Sequence, residues 1–226
     1  MKKKIVIVVS AMNLGGAQRV TSILSNYWSR NGYVVTLIST YTGEKSSHYQ
    51  LNEDVALKYL RNSPFFSSNK VLNLIWKLIH LRKTIKNLNP DVVISFLTTV
   101  NVASALSTIG MQFPLIICER TWPPFHSLSS KLFWAYGILF KNVDRVIVQT
   151  EKSKVWLSKN FPECKVKVIP NPISYPLALE NGHSLSLYNI IPKNKKVILA
   201  SGRLHKFKQF DLLIRAFLQI KGNYPD

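Results

Sequence analysis

The sequence predicts an α/β chain, a Rossmann-like doubly wound parallel sheet followed by the first strand-helix unit of a second Rossmann-like domain. Three observations predict it. Short β-branched runs alternate with longer stretches of helical periodicity. Runs such as IVIVVS and VVISF are apolar on both faces, as a parallel sheet covered by helices on each side requires. The 226 residues, 46% apolar, supply one ample core or two small ones.

In chain order, Ile5–Ser10 reads as a strand and passes through Asn13-Leu14-Gly15-Gly16 into a helix over 17–30. Val34–Ser39 is the next strand, and a helical pattern follows at 70–88. Asp91–Phe96, Leu115–Cys118, Arg145–Gln149 and Val166–Ile169 read as strands, separated by helices at 99–109, 127–141 and 151–160. Together they form a first domain over residues 1–170. Residues 171–192 break the rhythm with Asn171, Pro172, Pro176, Asn181, Gly182 and Pro192, a linker composition. The pattern then restarts over 193–226: a strand at Lys196–Ser201, a loop, and an amphipathic helix at Phe210–Ile220. One strand and one helix bury no core alone, so this segment reads as the incomplete start of a second domain or as a unit packed onto the first.

Composition excludes several classes. Thirty Lys and Arg against 11 Asp and Glu give a formal charge of +19, spread along the chain rather than held in a tail. Such a field suits a polyanion, an anionic membrane leaflet or a sugar-nucleotide diphosphate, and a generally lysine-rich composition produces the same excess. At 11% aromatic and 46% apolar the chain is not a disordered polycation. Two cysteines make no disulfide scaffold, which suits a reducing cytosol. No apolar run reaches the roughly 18 residues of a spanning helix. The basic Met1–Lys4 start precedes too short an apolar stretch for a signal peptide. The 71–88 stretch, with Lys77, Arg82, Lys83 and Lys86 off its apolar stripe, suits a sheet-covering helix more often than an interfacial one. Leu132–Phe140 suits a buried helix or a surface anchor, which periodicity does not separate.

Two loops carry chemistry. Gly15 and Gly16 open a helix directly after a strand, where glycines admit close backbone approach and the helix N-terminus offers N–H groups to an anion; a plain tight turn has the same look. The G-x-G-x-x-G spacing is missing, and the second strand runs into Thr40-Tyr41-Thr42 without an acidic residue for a ribose, so nicotinamide chemistry is not expected. Arg203 leaves a strand end through Gly202, and Lys208 follows five residues later before a helix, a pair of cations suited to a departing diphosphate. The five histidines show no metal-ligand spacing, and Cys118 ends an apolar strand as an inert thiol would. Basic and aromatic residues are not interleaved in a nucleic-acid-binding pattern, so no nucleic acid is expected.

Taken in order, GGAQRV, ISF, CERTWPP, DRVIVQTEKSK, VIPNPI and SGRLHKFKQFDLLIRAF form a series over nearly the whole chain that resembles glycosyltransferase family 4 (glycosyltransferase group 1). The resemblance implies a GT-B fold, two Rossmann-like domains facing across a cleft. It also implies a retaining transfer of a sugar from a UDP- or GDP-sugar to a lipid-linked or polysaccharide acceptor, in bacterial surface-glycan synthesis. By the same resemblance Gly15 and Gly16 lie near the donor phosphates, Arg203 and Lys208 clamp the diphosphate, and Glu119 and Arg120 face the cleft as catalytic candidates. Asn171 and Pro172 make the turn at the domain junction. No metal or other cofactor is implied, the nucleotide-sugar being a substrate. The implied setting is the cytoplasm, peripheral on the inner face of the plasma membrane, with an anionic membrane surface as partner. The family's Glu-x7-Glu element is missing from 209–226, so the chain reads as a fragment or truncated product. The alternative function is a non-catalytic module that binds an acceptor or a membrane surface.

Overall fold

The computed structural model describes residues 2–40, 47–60, 69–121, 130–173, 197–202, 204 and 206–222. It divides into two compact units, residues 1–174 and 175–226.

The first unit runs β1 (Lys4–Val9), α1 (Gly16–Arg30), β2 (Val34–Ser39), β3 (Ala56–Tyr59), α2 (Lys70–Leu88), β4 (Val92–Phe96), α3 (Thr98–Thr108), β5 (Leu115–Cys118), α4 (Ser130–Phe140), β6 (Arg145–Val148), α5 (Glu151–Asn160) and β7 (Val166–Val168). The strands pair in parallel in the order β3-β2-β1-β4-β5-β6-β7. The winding reverses between β1 and β4, where Ile7 pairs with Leu37 on one side and Ile94 on the other. In sheets of this topology ligands bind beyond the carboxyl ends of the strands at that reversal.

The period-two alternation of the strands splits the core in two. Ile7, Val9, Leu37 and Phe96 face α1, packing with Met12 and Val20. Val6, Val8, Val93, Ile117 and Val146 face the other way, against Leu81 and Ile85 of α2, Val100 and Ala105 of α3, Phe140 of α4 and Leu157 of α5. Each of the larger buried side chains contributes about 1.5–3 kcal/mol relative to exposure. Some buried hydroxyls are satisfied within their own helix: in α1 the Ser25 hydroxyl donates to the Thr21 carbonyl at 2.7 Å and Thr21 to that of Ala17 at 2.9 Å. Local chemistry sets the helix ends. Asn69 accepts the Val71 and Leu72 amides at the start of α2, and Thr150 accepts the Ser153 amide at the start of α5.

The structure departs from the sequence reading in two places. β3 was not expected. It is an edge strand of four residues (ALKY), exposed or half-buried throughout, paired only to β2. A short edge strand carries no double-sided apolar signature. The helix expected over 127–141 is described from Ser130 to Phe140, and 127–129 lie outside the described residues. In the second unit, the expected strand at Lys196–Ser201 is corrected: residues 197–201 have no strand assignment, and Val197, Ile198 and Leu199 are 52%, 64% and 80% exposed. Apolar propensity alone makes no strand without a neighbour to complete its hydrogen bonds. That unit contains a 3-10 turn at Lys206–Lys208 and α6 (Phe210–Ile220). The linker beyond residue 173 lies outside the described residues.

Candidate functional site at the strand ends

The carboxyl rim of the sheet collects most of the residues singled out by sequence. Glu119 follows β5 directly. Its amide donates to the Ile147 carbonyl of β6 at 2.9 Å, so the main chain is still held like a strand and the side chain turns to the helix-covered face. There the Thr98 hydroxyl donates to one carboxylate oxygen at 2.8 Å and the Asn101 amide to the other at 2.7 Å. Asn101 also donates to the Cys118 carbonyl at 3.1 Å and accepts from the Ser95 hydroxyl at 2.7 Å. Glu119 is thus 4% exposed beneath the first turn of α3 and is not open on the rim, which corrects the expectation that its side chain faces a cleft. Burial pushes its carboxyl up to about 7, while the Asn101, Thr98 and Tyr136 groups favour the ionised form. The buried Tyr136 hydroxyl has no hydrogen bond of good geometry, yet it is near enough to Glu119 to act electrostatically. Its own pKa is raised by burial and then by Glu119.

The turn that presents α3 is strained. Leu97 sits at φ 77°, a left-handed value rarely taken by a non-glycine residue. Its amide donates to the Cys118 carbonyl at 3.2 Å, so the β4–α3 turn is tied to the end of β5.

Arg120 takes the opposite face from Glu119. Its guanidinium lies 5.0 Å over the Phe96 ring, and one Nη donates to the side-chain Oδ1 of Asn171 at 2.5 Å. Gln149, just past β6, donates to the same oxygen at 2.9 Å. The ends of β4, β5, β6 and β7 therefore converge on one half-buried cation with further N–H groups to offer. The burial of Cys118 raises its thiol to about 11 despite the nearby Arg120, which leaves it an inert neighbour.

At the β1–α1 turn, Gly15 is extended at φ 173° and Gly16 begins the helix. The Tyr49 hydroxyl accepts the Gly15 amide at 3.1 Å and donates to the Gly15 carbonyl at 2.9 Å, so this N–H is already occupied. A Cβ at Gly16 would meet nothing within 4 Å. In the second unit, the stem of Lys208 folds back on Gly202, whose added Cβ would lie 3.5 Å from Lys208 Cδ. Arg203 lies outside the described residues. The sequence reading missed Thr98, Asn101, Tyr136, Tyr49 and Gln149. Only strand parity, which puts residues 118 and 120 on one face and 119 on the other, could have signalled the first three.

Among the described residues no three His, Cys, Asp or Glu side chains come together, and no helix is long and apolar enough to cross a membrane. The chain is 27% identical over 226 residues to a Campylobacter jejuni protein named GalNAc-alpha-(1->4)-GalNAc-alpha-(1->3)-diNAcBac-PP-undecaprenol alpha-1,4-N-acetyl-D-galactosaminyltransferase, covering 99% of this chain and 59% of that one. It is 29% identical over 220 residues to the amylovoran biosynthesis glycosyltransferase AmsD of Erwinia amylovora, covering 95% of this chain and 57% of the relative. This chain therefore spans less than two thirds of the length of either relative. Its fold matches that of a sucrose-phosphate synthase from Thermosynechococcus elongatus with a TM-score of 0.74 at 13% identity, over 97% of this chain and 60% of the other. The family model described as Glycosyltransferase Family 4 runs from residue 14 to residue 175, through the whole rim from the Gly15 turn to Asn171, and the chain belongs to that family.

Proposed function

We propose that the chain is the acceptor-side part of a retaining glycosyltransferase of bacterial surface-glycan synthesis. It would pass a hexosyl or N-acetylhexosaminyl group from a UDP- or GDP-sugar to a lipid-linked or polysaccharide acceptor at the cytoplasmic face of an anionic membrane. The observation that carries this reading is Arg120, a cation fixed at the carboxyl rim of a Rossmann-like sheet by Asn171 and Phe96. The name of the Campylobacter relative, a transferase acting on a diphospho-undecaprenol-linked glycan, supports a lipid-linked acceptor. In the transfer, the acceptor hydroxyl oxygen bonds to the anomeric carbon as the bond to the diphosphate oxygen breaks, and the hydroxyl proton leaves with the nucleoside diphosphate. Arg203 and Lys208 would neutralise the charge growing on that diphosphate, and Gly15 and Gly16 would let a phosphate approach the backbone. Arg120 would hold a negative group of the bound substrates. Glu119 is then a positioning residue that fixes the turn bearing α3. No cofactor is needed in this scheme.

A module that binds acceptor or membrane without transfer is the second reading. It is favoured by the second unit, in which no described residue is buried and Lys208 is exposed. Nucleoside diphosphate release, measured with a panel of UDP- and GDP-sugars and a polyprenyl-diphosphate glycan, decides between them. Acceptor-dependent release supports transfer, and Arg203→Ala with Lys208→Ala should then lower kcat by about 30- to 1,000-fold. Acceptor binding with no release from any donor supports the module. Unchanged turnover in the double variant would remove the diphosphate-clamp assignment.

A further inference from the structure

The last pairing between β4 and β5 joins Phe96 to Cys118, and beyond it the two strand ends are clamped from both faces. On one face the Arg120 guanidinium lies over the Phe96 ring. On the other lies a buried polar cluster whose centre is Asn101, at 0% exposure. The Asn101 side chain donates to the Cys118 carbonyl and to the Glu119 carboxylate at the end of β5, and it accepts from the Ser95 hydroxyl of β4. The Leu97 amide, in a turn held at φ 77°, donates to the same Cys118 carbonyl. A non-glycine residue keeps such a φ only where its surroundings over-determine it. Apolar residues of similar volume often stabilise a core as well as buried polar groups do, but they set no unique geometry. Directional hydrogen bonds supply that geometry here, as one fixed separation of the two strand ends.

We infer that Asn101 is a positioning residue for the rim cation: through Cys118 and Glu119 it fixes the end of β5 against the β4–α3 turn, and so holds Arg120 on Phe96. Asn171 meets the guanidinium from beyond β7, whereas the main chain that carries Arg120 is set by this cluster and by the Glu119 amide bond to Ile147. The state of Glu119 therefore reaches Arg120. Thr98 and Asn101 of α3, Tyr136 of α4 and Cys118 beside it on β5 surround the carboxyl. Burial raises the Tyr136 hydroxyl, the Cys118 thiol and the neighbouring Cys164 thiol, so these stay protonated at neutral pH, and Arg120 stays charged. Proton uptake by Glu119 changes its bonding to Thr98 and Asn101 and removes a negative charge one residue from Arg120. The inference deepens the proposed function, on which it rests only for the claim that Arg120 meets substrate.

The test uses the full chain with isotope-labelled arginine and follows the Arg120 Nε–H resonance by NMR, identified by its loss in Arg120→Lys. That group is buried, so it should exchange slowly, and the Phe96 ring current should displace it upfield. In Asn101→Ala most of the displacement should be lost, and sulfate, used as a non-titrating anion probe, should bind about fivefold more weakly. In the parent the resonance should move with pH through a midpoint of about 7. Glu119→Gln should abolish that step while leaving the resonance in place, because glutamine still accepts from Asn101 and can donate to Thr98. This second comparison keeps the cluster paired and decides the matter even where Asn101→Ala fails to fold. A resonance left in place in folded Asn101→Ala, a pH step that survives in Glu119→Gln, or a parent without the step would each overturn the inference. Sulfate affinity unchanged in Arg120→Ala would instead remove the substrate role of Arg120 from the proposed function, and the resonance would still read how Arg120 is placed.

Discussion

Glu119 accepts hydrogen bonds from Thr98 and Asn101 while 4% exposed, and burial pushes its carboxyl from an ordinary 4.5 up to about 7. The sign of the consequence follows from proton counting. Between those two values the folded chain holds a proton that the unfolded chain has released, so stability falls as pH rises through the window. Below pH 4.5 both states are protonated and the cost is absent; above 7 it is complete. Its size is up to roughly 3 kcal/mol, because one pKa unit is about 1.4 kcal/mol and the positive end of α3 opposes part of the penalty. Glutamine at this position stays neutral and can still accept from Asn101 while donating to the Thr98 hydroxyl. Urea unfolding at pH 5 and pH 8 should therefore show the parent losing more stability than Glu119→Gln. Equal losses in the two proteins would show that Glu119 ionises as freely in the folded chain as in the unfolded one.

The β1–α1 turn separates two roles for glycine at the scale of an element. Gly15 has an extended φ of 173°, so its backbone does not require glycine, and an added Cβ would meet only the far end of the Gln18 side chain. Gln18 can swing aside. Gly15→Ala should change stability by less than about 0.5 kcal/mol, whereas Tyr49→Phe, which strips both hydrogen bonds from Gly15, should cost about 1–2 kcal/mol. Chemical denaturation checks both, and a large loss in Gly15→Ala would mean the turn tolerates no side chain. How far the elements were legible follows from the same physics. β1, β2, β4, β5 and β6 announce themselves because both of their faces are buried. ALKY at the sheet edge has no such signature, and VILA after residue 196 has the signature without a partner. Within the site, the series of short matches led to Arg120. Glu119 was placed on the wrong side because a pattern match carries no parity. The hold of Tyr49 on Gly15 was not legible at all, since it joins residues 34 apart and Tyr49 belongs to no periodic element.

At the scale of the whole molecule, the two core clusters draw, among the described residues, on Ile5 to Val168, and the seven strands of the sheet lie within that range. The second unit has a different economy. α6 leaves Leu212, Ile214 and Leu218 at 51%, 59% and 61% exposure, and none of its residues is buried. Hydrophobic stabilisation follows the apolar area removed from water, so the described residues of this unit contribute little of it. The first unit should then fold without them. A polypeptide of residues 1–174 is expected to unfold in one cooperative transition with a stability within about 1 kcal/mol of the full chain. The exposed apolar face of α6 predicts a further difference: the full chain should self-associate more readily than the 1–174 fragment as concentration rises, which sedimentation would read. A fragment that unfolds several kcal/mol below the full chain would mean that residues 175–226 remove substantial apolar surface of the first unit from water. That result would defeat the view of the first unit as a self-sufficient fold.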